Sequence, residues 1–146
     1  MNKPFTIAVD SGEHTGIAIY DALQKKITEY KTTDFFGAIS FIKTLPKESS
    51  KVIVEVPSDF VYARNNFQSG KVRDKMCINI GMNRRESMLL AEALRRCGFA
   101  VTEVLPVRAA KWTAEQLKRY LGIAGRTSQH VRDACRLAYF HSSDRA

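Results

Sequence analysis

The stretch Lys51-Val52-Ile53-Val54-Glu55-Val56 constrains the fold more than any other part of the chain. A strand with one face in water alternates apolar and polar side chains, whereas this continuous β-branched run reads as a central strand of a sheet. Pro57 stops it, so the strand delivers the Glu55 carboxylate near its end. A central strand needs neighbours on both edges and helices over the sheet, and the remaining sequence has candidates for both.

Phe5 to Asp10 reads as a buried strand that also ends on a carboxylate, followed by the glycine-punctuated turn Ser11-Gly12-Glu13-His14-Thr15-Gly16. Ile17 to Asp21 returns as an antiparallel partner. After a turn at Gln24-Lys25-Lys26, Ile27 to Thr32 adds a third strand with alternating exposure. Thr33 or Asp34 can cap a helix with apolar positions Phe35, Phe36, Ile39, Ile42 and Leu45, ended by Pro46. From Ser58 to Lys75 no period holds, and a long functional loop is expected. A helix then runs from about Met76 or Gly81 to Cys97, with Met88, Leu89, Ala91 and Leu94 among its buried positions and Gly98 as its stop. Phe99 to Leu105 forms a fifth strand closed by Pro106, and Val107 to Trp112 a polar connector. Thr113 can cap a short helix ending near Leu121-Gly122, and Ser128 to Phe140 carries the last helix pattern. The order βββαβαβ followed by helices predicts an α/β fold with a five-stranded mixed sheet flanked by helices. At 146 residues a single domain over 1–146 is expected.

The net charge of +8 is unevenly spread: −1 over residues 1–61, +4 over 62–105 and +5 over 106–146. Every arginine lies from Arg64 onward, and the earlier basic residues are all lysines. A guanidinium fork suits phosphate and stacks on bases, so the asymmetry points to a polyanion partner. Cys77, Cys97 and Cys135 have no close spacing, which argues against a disulfide framework or a thiolate zinc site. No run approaches the length of a membrane span, and Met1 to Pro4 leads into a strand pattern instead of a signal-peptide core. A cytoplasmic protein without membrane contact is expected.

If the strands ending at Asp10 and Glu55 are neighbours, their carboxylates lie side by side and repel unless a proton or cation sits between them. A hard cation such as Mg²⁺ suits a few carboxylate oxygens and retained waters. On the last helix, His130 and Asp133 are three residues apart and share a face. Packing of that helix beside the two strands would complete the cluster. Two divalent ions about 4 Å apart would then activate a water and stabilise the leaving oxygen of a phosphodiester displacement. An acidic centre within a basic protein is explained on the same basis.

These pieces together resemble the RuvC-type Holliday junction resolvases of the ribonuclease H-like superfamily. The resembling residues are Ile7-Ala8-Val9-Asp10-Ser11-Gly12 with Thr15-Gly16, then Val54-Glu55, Pro106, Lys111 and His130-Val131-Arg132-Asp133-Ala134, which span nearly the whole chain. The resemblance implies a homodimeric endonuclease that nicks four-way and related branched DNA in symmetric pairs, with two Mg²⁺ per active site and Mn²⁺ as a substitute. It implies Asp10 as the ligand bridging both metals, Glu55 and Asp133 as further ligands, and His130 as a ligand or a positioner of the attacking water. The helix from Met76 to Cys97 resembles the family's dimerisation element. Ser11 stands where the family usually has proline, and the family's aromatic-Asn-Pro element is absent from the loop after Glu55. Phe60, Tyr62 and Phe67 surround Arg64-Asn65-Asn66 there instead, and one of the three aromatics is expected to stack at the junction. Arg64, Asn65, Lys71, Arg73, Arg84, Arg85 and Lys111 are candidate DNA contacts, and His14 lies in the turn beside Asp10. The chain is shorter than typical cellular members, which leaves room for a virus-encoded or divergent relative. The alternatives are a YqgF-type nuclease acting on ribosomal RNA precursors and a non-catalytic nucleic-acid-binding module on the same fold.

Overall fold

A computed structural model describes residues 2–58, 70–106 and 109–142. The elements run β1 (Phe5–Asp10), β2 (Thr15–Asp21), β3 (Lys26–Thr33), α1 (Phe35–Ile42), β4 (Ser50–Glu55), α2 (Gly70–Arg96), β5 (Ala100–Val104), α3 (Ala114–Leu121) and α4 (Gln129–His141). They form a five-stranded sheet in the order β3-β2-β1-β4-β5. β2 is antiparallel to β1 and β3, while β4 is parallel to both β1 and β5, so the sheet is mixed. The β-branched run thus occupies an interior position, as its composition requires.

Alternate side chains of the interior strands feed two cores. Ile7, Val9, Val52 and Val54 point to the layer of α1 and α2, where they meet Ala38, Ile42, Leu90 and Leu94. Ala8, Ala18 and Ile53 point the other way, to Val131, Ala134 and Leu137 of α4 and Leu117 of α3. Ala8 and Ala18 are direct cross-strand partners. Two methyl groups in place of larger side chains leave room for α4 to lie close on the sheet, and Ala134 and Ala138 are fully buried on its own side. The Cys135 thiol is buried, and Cys77, Cys97 and Cys135 are all free.

The caps are local and chemical. Asp34 accepts from the Gly37 amide at 2.7 Å to open α1, and Thr113 and Gln116 form a reciprocal capping box at the start of α3. Gly122 ends α3 in the left-handed conformation.

Three expectations need correction. The expected loop up to Lys75 is helical from Gly70. Residues 70–75 are exposed, so this part of α2 has no core to face and no apolar period to display. Leu89 and Phe36 are exposed, not buried: the core face of α2 is the stripe Ser87, Leu90, Ala91 and Leu94, and α1 uses Ala38 and Ile42. The connector before α3 is not wholly polar, since Trp112 is buried in the α3–α4 core. Among the described residues no helix is long and apolar enough to cross a membrane.

Candidate active site

β1 and β4 run parallel with Val9 beside Val54. The next residue on each strand is acidic, which brings Asp10 and Glu55 to adjacent C-terminal strand ends, the usual place for ligand chemistry on an open α/β sheet. Across that edge comes α4. Its N-cap Ser128 accepts from the Val131 amide at 3.2 Å, and its first turn packs against the start of β2. Gly16 makes that approach possible: a β-carbon there would lie 2.7 Å from the His130 carbonyl carbon. Thr15 and Gly16, expected in the turn after β1, instead open β2, where Gly16 serves this contact.

Asp133 projects from α4 toward the two strand-end acids. Its carboxylate accepts from Lys111 Nζ at 3.2 Å through Oδ2 and from Gln129 Nε2 at 2.8 Å through Oδ1. Burial raises the Asp10 pKa to about 7, and the negative charges of Glu55 and Asp133 add to the rise, while Lys111 and Arg136 oppose it. Glu55 is also raised, mainly by burial and further by Asp133, with Arg136 and Lys111 pulling the other way. Three carboxylates thus interact electrostatically around two cationic side chains. His130 lies one turn before Asp133, with its ring centroid 5.5 Å from that of His14. The β1–β2 turn carrying His14 is in turn tied to α2 by a short hydrogen bond of 2.5 Å between the hydroxyls of Ser11 and Ser87.

Oxygen donors and an uncompensated negative charge suit a hard cation. The donors are not gathered into a ready coordination sphere: among the described residues no group of three or more His, Cys, Asp or Glu side chains could hold a metal ion as placed. The charge of the cluster fits a cation, and the side chains would have to draw together to ligate one.

The other expected contact residues fall into two sets. Phe60, Tyr62, Arg64, Asn65 and Phe67 lie outside the described residues. Lys71, Arg73 and Arg85 are exposed along α2, and Arg84 is half-buried with an Nε that has no hydrogen-bond partner. Only Lys111 among the candidate DNA contacts reaches the acid cluster in the described structure. Sequence reasoning overlooked Arg136, which is 7% exposed and acts electrostatically on both Asp10 and Glu55. A signal was present: an arginine inside the apolar run Ala134 to Ala138 must find partners if the run is buried.

No family model matches the sequence, and no curated protein matches it. A solved structure does: that of T. thermophilus RuvC in complex with Holliday junction substrate superposes with a TM-score of 0.59 at 16% identity, over 94% of this chain and 91% of that one. The two structures share one fold over nearly their full lengths, so the five-stranded mixed sheet with its helices is a RuvC-like fold.

Proposed function

We propose that the protein is a Mg²⁺-dependent, structure-selective endonuclease that cuts four-way and related branched DNA. The observation that carries this reading is the meeting of Asp10, Glu55 and Asp133 at the C-terminal edge of the parallel strands. The net charge of +8 and the likeness to a RuvC bound to a Holliday junction support it. Asp10, Glu55 and Asp133 would hold two Mg²⁺, or Mn²⁺ in their place, with His130 as a further ligand or beside the attacking water. When bound, such ions supply an activated water and stabilise the departing oxygen. The chain's own residues do the rest. Lys111 offers an ammonium to a phosphate oxygen, the exposed arginines of α2 hold the DNA arms, and the carboxylates fix the geometry of the centre. Hydrolysis forms a bond from water oxygen to phosphorus and releases the 3′-hydroxyl, which leaves a 5′-phosphate that ligase can reseal.

Purified protein with Mg²⁺ should nick a synthetic four-way junction at symmetric positions, and Asp133→Asn should bind the junction with at least about a hundredfold lower nicking. The same panel holds a linear duplex, a flap and an RNA duplex. Equal cutting of the linear duplex, preferential cutting of RNA, or binding without cutting by the unaltered protein would each sink the reading.

A two-fold dimer would place two such centres on two symmetric strands. α2 offers a surface for it: Ile78, Met82 and Leu89 are 62%, 65% and 44% exposed and recur at helical spacing opposite the core stripe. A second copy of the chain is the occupant assigned to that stripe. Met82→Glu should shift the protein from dimer to monomer in analytical ultracentrifugation, with little change in circular dichroism, and convert paired nicks into single ones. An unchanged sedimentation coefficient would remove this face from the interface.

A further inference from the structure

Asp133 has both carboxylate oxygens occupied, and arginines of its own helix hold one occupant, Gln129, and the residues on either side of the other, Lys111. Arg132 donates from Nε to the Trp112 carbonyl at 3.1 Å, from Nη1 to the Thr127 carbonyl at 2.5 Å, and from Nη2 to Gln129 Oε1 at 3.0 Å. Arg136, one turn later, donates from Nη1 to the Ala110 carbonyl at 2.8 Å. The carbonyls of Ala110 and Trp112 flank Lys111, whose ammonium rests on Asp133 Oδ2. Gln129 has one amide with two ends: its oxygen accepts from Arg132 and its nitrogen donates to Asp133 Oδ1. Arg132 therefore selects the orientation in which Gln129 presents a donor, not an acceptor, to the carboxylate.

We propose that Arg132 and Arg136 are positioning residues that clamp residues 110–112 onto α4 and thereby set the orientation of Asp133 through Lys111 and Gln129. The inference rests on the reading of Asp133 as part of the reacting centre and adds how this chain holds it. A guanidinium makes several hydrogen bonds in one plane, and Arg132 uses three of its nitrogens on partners from three different places. Lysine keeps the charge and cannot span them. Arg136, nearly excluded from water, supplies a positive charge near Asp10 and Glu55 while gripping the same connector. The connector has its own anchor as well: the Trp112 indole is stacked on Tyr120 with centroids 5.1 Å apart. Losing the arginine bonds should consequently loosen Lys111 before it unfolds the domain.

The test uses two readouts, one of which needs no nuclease activity. Lys111 is labelled with an amine-reactive reagent and followed by mass spectrometry, with exposed Lys118 as the internal reference. The Lys111 side chain is largely exposed, so its ion pair and not burial limits its reactivity; Arg132→Lys and Arg136→Lys should each raise Lys111 labelling about twofold, toward the level in Asp133→Asn, without changing Lys118. Trp112 is the single tryptophan, so its emission reports whether the connector remains docked. In the nicking assay Arg132→Lys should lower kcat about tenfold or more with little change in KM, and should cost nothing further in a Lys111→Ala, Gln129→Ala background. Gln129→Met, which leaves the arginines in place, gives a milder kcat loss of the same kind and serves if Arg136→Lys does not fold. Unchanged Lys111 labelling in folded Arg132→Lys overturns the clamp whatever the activity. Equal kcat losses in both backgrounds would reduce it to a structural dock. A wild type that never nicks DNA, with labelling still altered as expected, overturns the nuclease reading and leaves the clamp.

Discussion

Replacing Asp10 by asparagine should make the metal-free protein more stable at pH 8 while abolishing cleavage of branched DNA. The reason lies in the pKa of about 7 in the fold against 3.8 for the unperturbed group, raised first by burial and then by Glu55 and Asp133. An acid whose pKa rises on folding binds a proton more tightly in the native state, so stability falls as pH increases between the two values. The carboxylate adds no penalty well below pH 4, an increasing one from about pH 4 to 7, and the full penalty above that. At about 1.4 kcal/mol per pH unit the cost reaches an upper bound of about 4 kcal/mol. Asparagine keeps the shape and removes the charge, so a gain of about 2 to 4 kcal/mol, or on the order of 5 to 10 °C in melting temperature, is expected at pH 8 without divalent ions. The advantage should vanish near pH 4. Millimolar Mg²⁺ should stabilise the wild type and not the variant, because a ligand that binds only the native state adds stability by mass action. Thermal melts of both proteins at three pH values, with Mg²⁺ or with EDTA, check all of this. A metal-free Asp10→Asn protein that melts below the wild type at pH 8 would contradict the account of the acid cluster as a site strained for function.

Much of this site is legible in the sequence because strand physics is short-ranged. A β-branched run ending in Glu55 and a second apolar run ending in Asp10 each announce a buried strand with a carboxylate at its tip, and parallel pairing puts those tips together. His130 and Asp133 share a face by helical geometry alone. What escapes is whatever depends on distant pieces meeting. Arg136 reads as one more basic residue until α4 lies on the sheet, and the resemblance that picks out Lys111 as a DNA contact does not foretell its ion pair with Asp133, in which its side chain stays largely exposed. Trp112, placed by its polar neighbours in a solvent-exposed connector, is drawn inward by Leu117, Tyr120 and Tyr139. The start of α2 escaped for the opposite reason. A helix that projects beyond its core needs no amphipathic pattern, only residues that tolerate the conformation, and Lys71 to Met76 contain neither glycine nor proline. The loop aromatics remain a sequence-level expectation, since they lie outside the described residues.

Gly16 is where fold and site are most directly joined, and Gly16→Ala should damage both. The added β-carbon would come within 2.7 Å of the His130 carbonyl carbon and 3.3 Å of its β-carbon. The clash is chiefly with backbone, so no side-chain rotation relieves it. That carbonyl belongs to the first turn of α4, whose hydrogen bonds oblige neighbouring residues to move with it. Either the turn carrying His130 and Asp133 lifts from β2, or β2 shifts against β1 and moves the edge beside Asp10. Overpacking of this kind costs about 3 kcal/mol, and a displacement near 1 Å at a reacting centre costs about a hundredfold in rate. Gly81→Ala is the matched control: nothing lies within 4 Å of a β-carbon there, and in the interior of α2 alanine should add about 0.5 to 1 kcal/mol. The two effects of Gly16→Ala are separable by measuring nicking at low temperature, where the variant is more than nine-tenths folded by circular dichroism. A hundredfold loss under those conditions shows that the glycine sets the position of His130 and Asp133. Full activity from the folded fraction would mean that the first turn of α4 can move without disturbing the chemistry, and neither residue could then be held to a fixed place in the centre.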